Sequence, residues 1–436
     1  MVGGRSGFNG NLWAASCCVE CLLKLCRILT ISAAFVWIAA CEQSPPPPAD
    51  GASAEFQKDL QTRMITAKPG DVILIPEGKH VITRGLSLNV SGVTLRGAGM
   101  DRSILSFKNQ LQGAEGLLVN ASDFTIEDLA IEDTAGDGLK INGGRNIVIR
   151  RVRTEWTGGP DEDNGAYGIY PVQTQNVLIE ECVAIAASDA GIYVGQSKNV
   201  IVRNNRAEYN VAGIEIENTF YADVYGNRAV GNTGGILVFN MPDLPQPGHS
   251  TRIFENTIRD NNTENYGAEG TPVSSVPAGS GIVINSNDRV EIFDNDISGN
   301  DTANIIISSY YATGWEGIRE MGEDYDPFPE TIFIYGNRLS DGGSSPDGLD
   351  LKALKIALFG LGGQLPDILW DGYFNQAKAD ANGNLLPEYA ICVDNGTAQV
   401  LNADLPNDSA QIELDQDQHQ CQHKKLPPVV LEAPLG

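Results

Sequence analysis

The sequence predicts an all-β solenoid, a single-stranded right-handed parallel β-helix, and three observations predict it. An apolar anchor recurs at 22 or 23 residues, from Ile126 to Ile149, Ile179 to Val202 and Val202 to Val224. Asn205, Asn227, Asn256, Asn295 and Asn337 each fall three residues after such an anchor. A second phrase, Gly-apolar-x-apolar, follows in each repeat, as Gly191-Ile192-Tyr193-Val194, Gly213-Ile214-Glu215-Ile216 and Gly235-Ile236-Leu237-Val238.

Alternating apolar positions over three or four residues mean short, half-buried strands. Two or three such strands per 22-residue repeat cannot bury their apolar sides alone. Stacking each coil on the last closes a continuous core, with parallel strands about 4.8 Å apart. The asparagines then lie above one another, and their amides can hydrogen-bond along the axis as a ladder.

Taken in order, residues 1–40 read as a lipoprotein-type signal. Lys24 and Arg27 precede an apolar run from Ile28 to Ala40, and Ile38-Ala39-Ala40-Cys41 ends it. Cys41 is the expected lipidated first residue of an exported chain. Glu42 follows it in place of an aspartate, and the resemblance to bacterial lipoprotein sorting signals then implies an outer-membrane anchor. Residues 42–53 hold four consecutive prolines and read as a stiff tether. Phe56, Leu60 and Met64 recur at helical spacing, so Ala54 to Ala67 is expected to be a helix capping the first coil of a β-helix over 54–344. Residues 345–436 are expected to form a C-terminal cap and irregular tail, in which Cys392 and Cys421 can form a disulfide.

The 436 residues carry 56 acidic and 30 basic side chains, a net charge of −26. Nucleic acid is excluded as a partner, because phosphate binding needs clustered cations. Residues 70–340 resemble the parallel β-helix repeats of the pectin-lyase-like superfamily. Within it they are similar to bacterial lipoproteins known mainly by the repeat. The resemblance implies the fold and a polysaccharide partner for a monomer. It does not choose a reaction, since lyases, hydrolases, epimerases and pure binders share the scaffold.

Four insertions, near 157–166, 241–250, 263–279 and 309–330, flank the Gly-apolar-x-apolar strand and can wall a groove over it. In that strand the x residue points outward. The expected exposed face therefore carries Lys140, Tyr170, Tyr193, Glu215 and Glu217, with Asp189 at the preceding corner. Glu215 and Glu217, about 6.6 Å apart along the strand, fit the paired carboxylates of glycoside hydrolysis. Lys140 and Tyr193 are the groups that could serve a lyase or epimerase. Trp156, Tyr167, Tyr170, Asn218, Phe239 and Trp315 are the expected substrate contacts, the aromatic rings by stacking on sugars. Asp161 and Asp163 could hold Ca²⁺. Two functional classes follow: a polysaccharide-processing enzyme, or a non-catalytic lipoprotein that binds glycan or scaffolds a partner.

Overall fold

The computed structural model describes residues 51–432, apart from 315–319, 382, 384 and 416. The expected signal, Cys41, most of the tether and Trp315 lie outside the described residues. Helix α1, Gly51–Thr66, starts three residues before its expected boundary. It buries Leu60 and Met64 in the core and stacks Phe56 on His80 at 4.0 Å. Its glutamines close the open edge of the first coil. Gln61 exchanges hydrogen bonds with the Ser87 backbone at 2.9 and 3.0 Å, and Gln57 accepts from Thr83 N at 2.9 Å. A strand edge left without partners would template pairing with another chain.

Each full coil has three strands, such as Ala190–Gly195, Lys198–Arg203 and Arg206–Glu208, repeated as Ala212–Glu217, Phe220–Tyr225 and Arg228–Val230. All pair in parallel with the corresponding strands of neighbouring coils. Ile192, Ile214, Ile236, Ile282 and Ile305 stand in register and are fully buried. The sheet containing Ala190–Gly195 also holds Leu139–Asn142, Tyr167–Val172, Ala212–Glu217, Gly234–Phe239, Ser280–Asn285 and Ala303–Ser308. It is called the site sheet below.

The asparagine column is a hydrogen-bonded ladder. Each amide nitrogen from Asn205 to Asn295 donates to the next asparagine's oxygen at 2.9–3.0 Å, and Asn337 continues it to Asn395 at 3.3 Å. Cys182 occupies the preceding rung, where its backbone N–H donates to Asn205 Oδ1. Its thiol is buried, and burial pushes it up to about 12. The left-handed residue at this corner is the one before the asparagine: Asn204, Gly226, Glu255, Asp294 and Gly336 have φ of 53 to 66°. A second ladder, Asn210, Asn232, Asn261 and Asn300, runs parallel to the first at 2.9–3.0 Å. Its signal was a second asparagine five residues after four of the first set.

The glycine of the repeated phrase is required by the spacing of the coils. A Cβ on Gly213 would sit 2.5 Å from the Gly235 carbonyl oxygen. The stack also runs past residue 344, where the expectation ended it. Ile368–Trp370 pairs with Ala303–Ser308, Ile391–Asp394 with Glu330–Tyr335, and Val400–Asn402 with Ile368–Trp370. These rungs were masked in the sequence by long insertions, one of which forms helix α2, Leu349–Phe359. An antiparallel strand, Glu413–Asp415, finishes the site sheet. Cys392 and Cys421 are joined in a disulfide.

Candidate carboxylate site

The expected column points out of the coil, but it is not exposed. Insertions fold down onto the outer face of the site sheet, where Leu237, Phe239, Met241, Val273, Val276, Val283 and Tyr310 form a second apolar cluster with Tyr193. Apolar outward positions such as Leu237 and Val283 favour cover over solvent. Two anchors hold the cover. Tyr266 donates its hydroxyl to Ala187 O at 2.9 Å and lies 2.5 Å from Tyr209 O. Asn218 donates to Met241 O and Gln246 O at 2.9 and 2.8 Å.

Three expected substrate contacts therefore have other roles. Asn218 is buried as the clamp of the 241–248 loop. Phe239 is buried in the outer apolar cluster. Trp156 packs on Ala186 and Ala187, with its indole N–H donating to Thr134 O at 2.8 Å, so no sugar can reach its face. The placement of aromatics in insertions could not separate rings that anchor loops from rings that meet a ligand.

At the N-terminal end of this cover the carboxylates converge. Asp189, Glu215 and Glu217 are 7, 2 and 8% exposed. Tyr193 Oη donates to Glu217 Oε1 at 2.6 Å, and Gln196 Nε2 donates to the same oxygen at 3.1 Å. Asp189 Oδ1 and Glu215 Oε2 are buried without a hydrogen-bond partner. Burial, reinforced by Glu217, pushes the Asp189 carboxyl up to about 8, against a hydrogen bond from Tyr167. Burial, then the charges of Asp189 and Glu217, holds Glu215 well above the usual carboxylate range. Like charges that close, out of water, favour a protonated acid.

Three tyrosines form the wall. The Tyr167 ring lies 4.5 Å from Tyr170 and 4.6 Å from Tyr193, and Tyr170 meets Tyr193 edge-on at 4.9 Å. Burial and the neighbouring carboxylates raise the Tyr167 and Tyr193 hydroxyls well above their ordinary value. They are therefore donors, unsuited to act as tyrosinate bases. Lys140 stands at the rim, over the Tyr170 ring at 4.7 Å and 3.3 Å from Asp137 Oδ2. Asp137, Lys140, Tyr167 and Tyr170 are all half-buried, so the cluster is approached from the N-terminal coils. Asp137 and Gln196 were missed in the sequence, although each directly adjoins a strand of the repeated phrase.

Asp161 closes a turn by accepting from Asp163 N at 3.0 Å, on the exposed tip of its insertion. Among the described residues, three carboxylates with ligand atoms within 4.8 Å of one another occur at Asp288, Asp326 and Glu330. Lys378 Nζ already lies 2.9 Å from Asp326 and 2.5 Å from Glu330, in the place a metal cation would take.

The description "right handed beta helix region" belongs to the family model that matches residues 87–244. This chain is a right-handed parallel β-helix. Among solved structures it is similar to the A-module of a mannuronan C-5 epimerase of Azotobacter vinelandii. That match has a TM-score of 0.50 and 18% identity, over 79% of this chain and 90% of that one. It also matches an alginate lyase of Paenibacillus sp. (TM-score 0.40, 16% identity, 66% of this chain and 96% of that one). A third is a DFA-IIIase of Arthrobacter chlorophenolicus (TM-score 0.46, 11% identity, 74% and 90%). At these identities the likeness is one of fold. A search of curated proteins finds no match to this β-helix.

Proposed function

We propose that this β-helix binds a polysaccharide at the Tyr170 end of the site sheet, and that the carboxylate cluster acts on it. The observation that carries the reading is the pair of buried, unpartnered oxygens on Asp189 and Glu215 beside a hydrogen-bonded Glu217. Glu215, whose protonated form burial favours, serves in this reading as the general acid. Glu217, with two donors on one oxygen, serves as the carboxylate base or nucleophile. Tyr170 and Lys140 offer a ring face and a cation at the entrance. The epimerase module of similar fold acts on mannuronan, and a polysaccharide is the substrate class carried over from it.

One observation favours the second reading, a glycan-binding or scaffolding module without turnover: the low exposure of all three carboxylates. A glycan panel scored for reducing ends and for unsaturated products separates the two. Glu215→Gln should lower hydrolysis by at least about a hundredfold, the usual scale of general-acid loss, with binding retained. Undiminished hydrolysis in that variant excludes the acid role, and no binding across the panel excludes both readings. The apolar run ending at Cys41 supports a lipid anchor in the cell envelope. Metabolic labelling with a fatty acid should be lost in Cys41→Ser.

A further inference from the structure

One coil below Glu217, on the same outer face, the lining changes character. Phe239 stands in register with Glu217 and borders a cavity of about 680 Å³ beneath α2. Its floor is the continuing outward column of the site sheet, Val283, Ile306, Leu369 and Leu401. Leu351 and Leu354 of α2 line the opposite side.

Several polar side chains on this lining are committed to the protein itself, although Asp350 stands at its exposed edge on α2 and the Trp370 indole N–H has no partner. Asn285 donates to Ser308 Oγ and Ser309 O, both at 2.9 Å. Ser275 donates to Pro272 O and Thr313 to Tyr310 O. Asp371 accepts the N–H groups of Ser309 and Tyr373 at 2.6 and 3.0 Å. A sugar entering here would give up hydrogen bonds to water for few replacements. A hydrocarbon chain has none to lose, and the volume suits one.

Helix α2 supplies a second, separate observation. None of its described residues is fully buried. Leu349 is 84% exposed and Leu361, just past its end, 83%, with Ile356 and Leu358 also open to solvent. A helix finished as a core element would hide these side chains. With Leu351 and Leu354 on the cavity, and Leu349, Ile356 and Leu358 open to solvent beside Asp350 and Lys352, α2 has the character of an entrance for an apolar chain.

We propose that this cavity takes an acyl or alkyl chain carried by the glycan, so that the ligand is an amphipathic glycoconjugate. Its sugar lies at Tyr170 and Glu217 and its chain under α2. The sugar half rests on the function proposed above, whereas the chain site stands on the cavity alone.

The fluorescent polyene cis-parinaric acid, titrated into the full chain, tests the chain site. Its emission should rise on binding and fall again when an octyl glycoside is added, but not when the same glycan lacks the octyl group. Ala357→Trp and Ala312→Trp, which fill the cavity from two walls, should each weaken binding by about tenfold, equivalent to about 1.4 kcal/mol. Near-ultraviolet circular dichroism verifies that each variant is folded. No rise with the natural chain, or unchanged affinity in both folded variants, overturns the proposal. Glu215→Gln should bind the probe as the natural chain does. A chain that binds the probe but turns over no glycan loses the enzymatic reading and keeps this one.

Discussion

Asn256 shows how much of the solenoid rests on single side chains. It donates to Val224 O and Asn295 Oδ1, and its own oxygen accepts from the backbone and amide nitrogens of Asn227. Asn256→Ala leaves donors on the rung above without a partner in a site closed to water. The cost should be about 3 kcal/mol, read as a lower urea midpoint with an unchanged slope. A change under about 0.5 kcal/mol would mean that water enters the ladder and replaces the amide. At this scale the sequence was readable where one residue type repeats in one register, as the asparagines do. It was unreadable at Glu215 and Glu217. A strand pattern shows that a side chain leaves the coil, and it cannot show that an insertion some thirty to sixty residues later in the chain will cover it.

Among the elements, the C-terminal segment departs furthest from expectation. It leaves the disulfide at Cys421 and climbs back along the outside of the solenoid, making three regular contacts. Leu426 N donates to Glu291 at 2.7 Å, Val429 N to Asp223 at 3.1 Å, and Glu432 N to Asn176 at 2.7 Å. Asp223 and Glu291 stand in one register two coils apart, and the strand of Asn176 lies two coils further up. Three residues of polyproline II rise about 9.3 Å, and two coils rise about 9.6 Å. The tail therefore matches the solenoid's own repeat, and Pro427 and Pro428 stiffen it between contacts. No periodicity marks this in the sequence, because the partner strands lie more than a hundred residues away. Cys421→Ser should lower stability by about 3 kcal/mol for a loop of this length, closed across 29 residues. It should also raise amide exchange at Leu426, Val429 and Glu432, while the ladder amides keep their protection. Equal exchange at those three positions would show that the tail is held by its own contacts without the tether.

Over the whole molecule the repeat was legible because every coil restates it, whereas the site arises where insertions interrupt the repeat. Those interruptions bury acids, and the burial makes stability depend on pH in a defined direction. Asp189 and Asp288 are pushed up to about 8 by burial, and Asp371 to about 6. In the unfolded chain these carboxyls titrate near 4, so between about 4 and 8 the folded state holds more protons than the unfolded one. Their contribution is complete below about pH 4 and is lost as pH rises through 8. The carboxylates lowered by arginine partners, Asp128 and Glu180, act in the opposite sense, and their contribution is lost only in stronger acid. Both are ionised at pH 5 and at pH 9, so they do not alter the comparison between those two conditions. The urea midpoint should therefore be higher near pH 5 than near pH 9. The combined variant Asp189→Asn, Glu215→Gln should flatten that fall, matching the natural chain near pH 4 and exceeding it near pH 9. An identical slope in the variant would mean that Asp189 and Glu215 are not the groups that make stability fall with pH, leaving Asp288 and Asp371 to carry it.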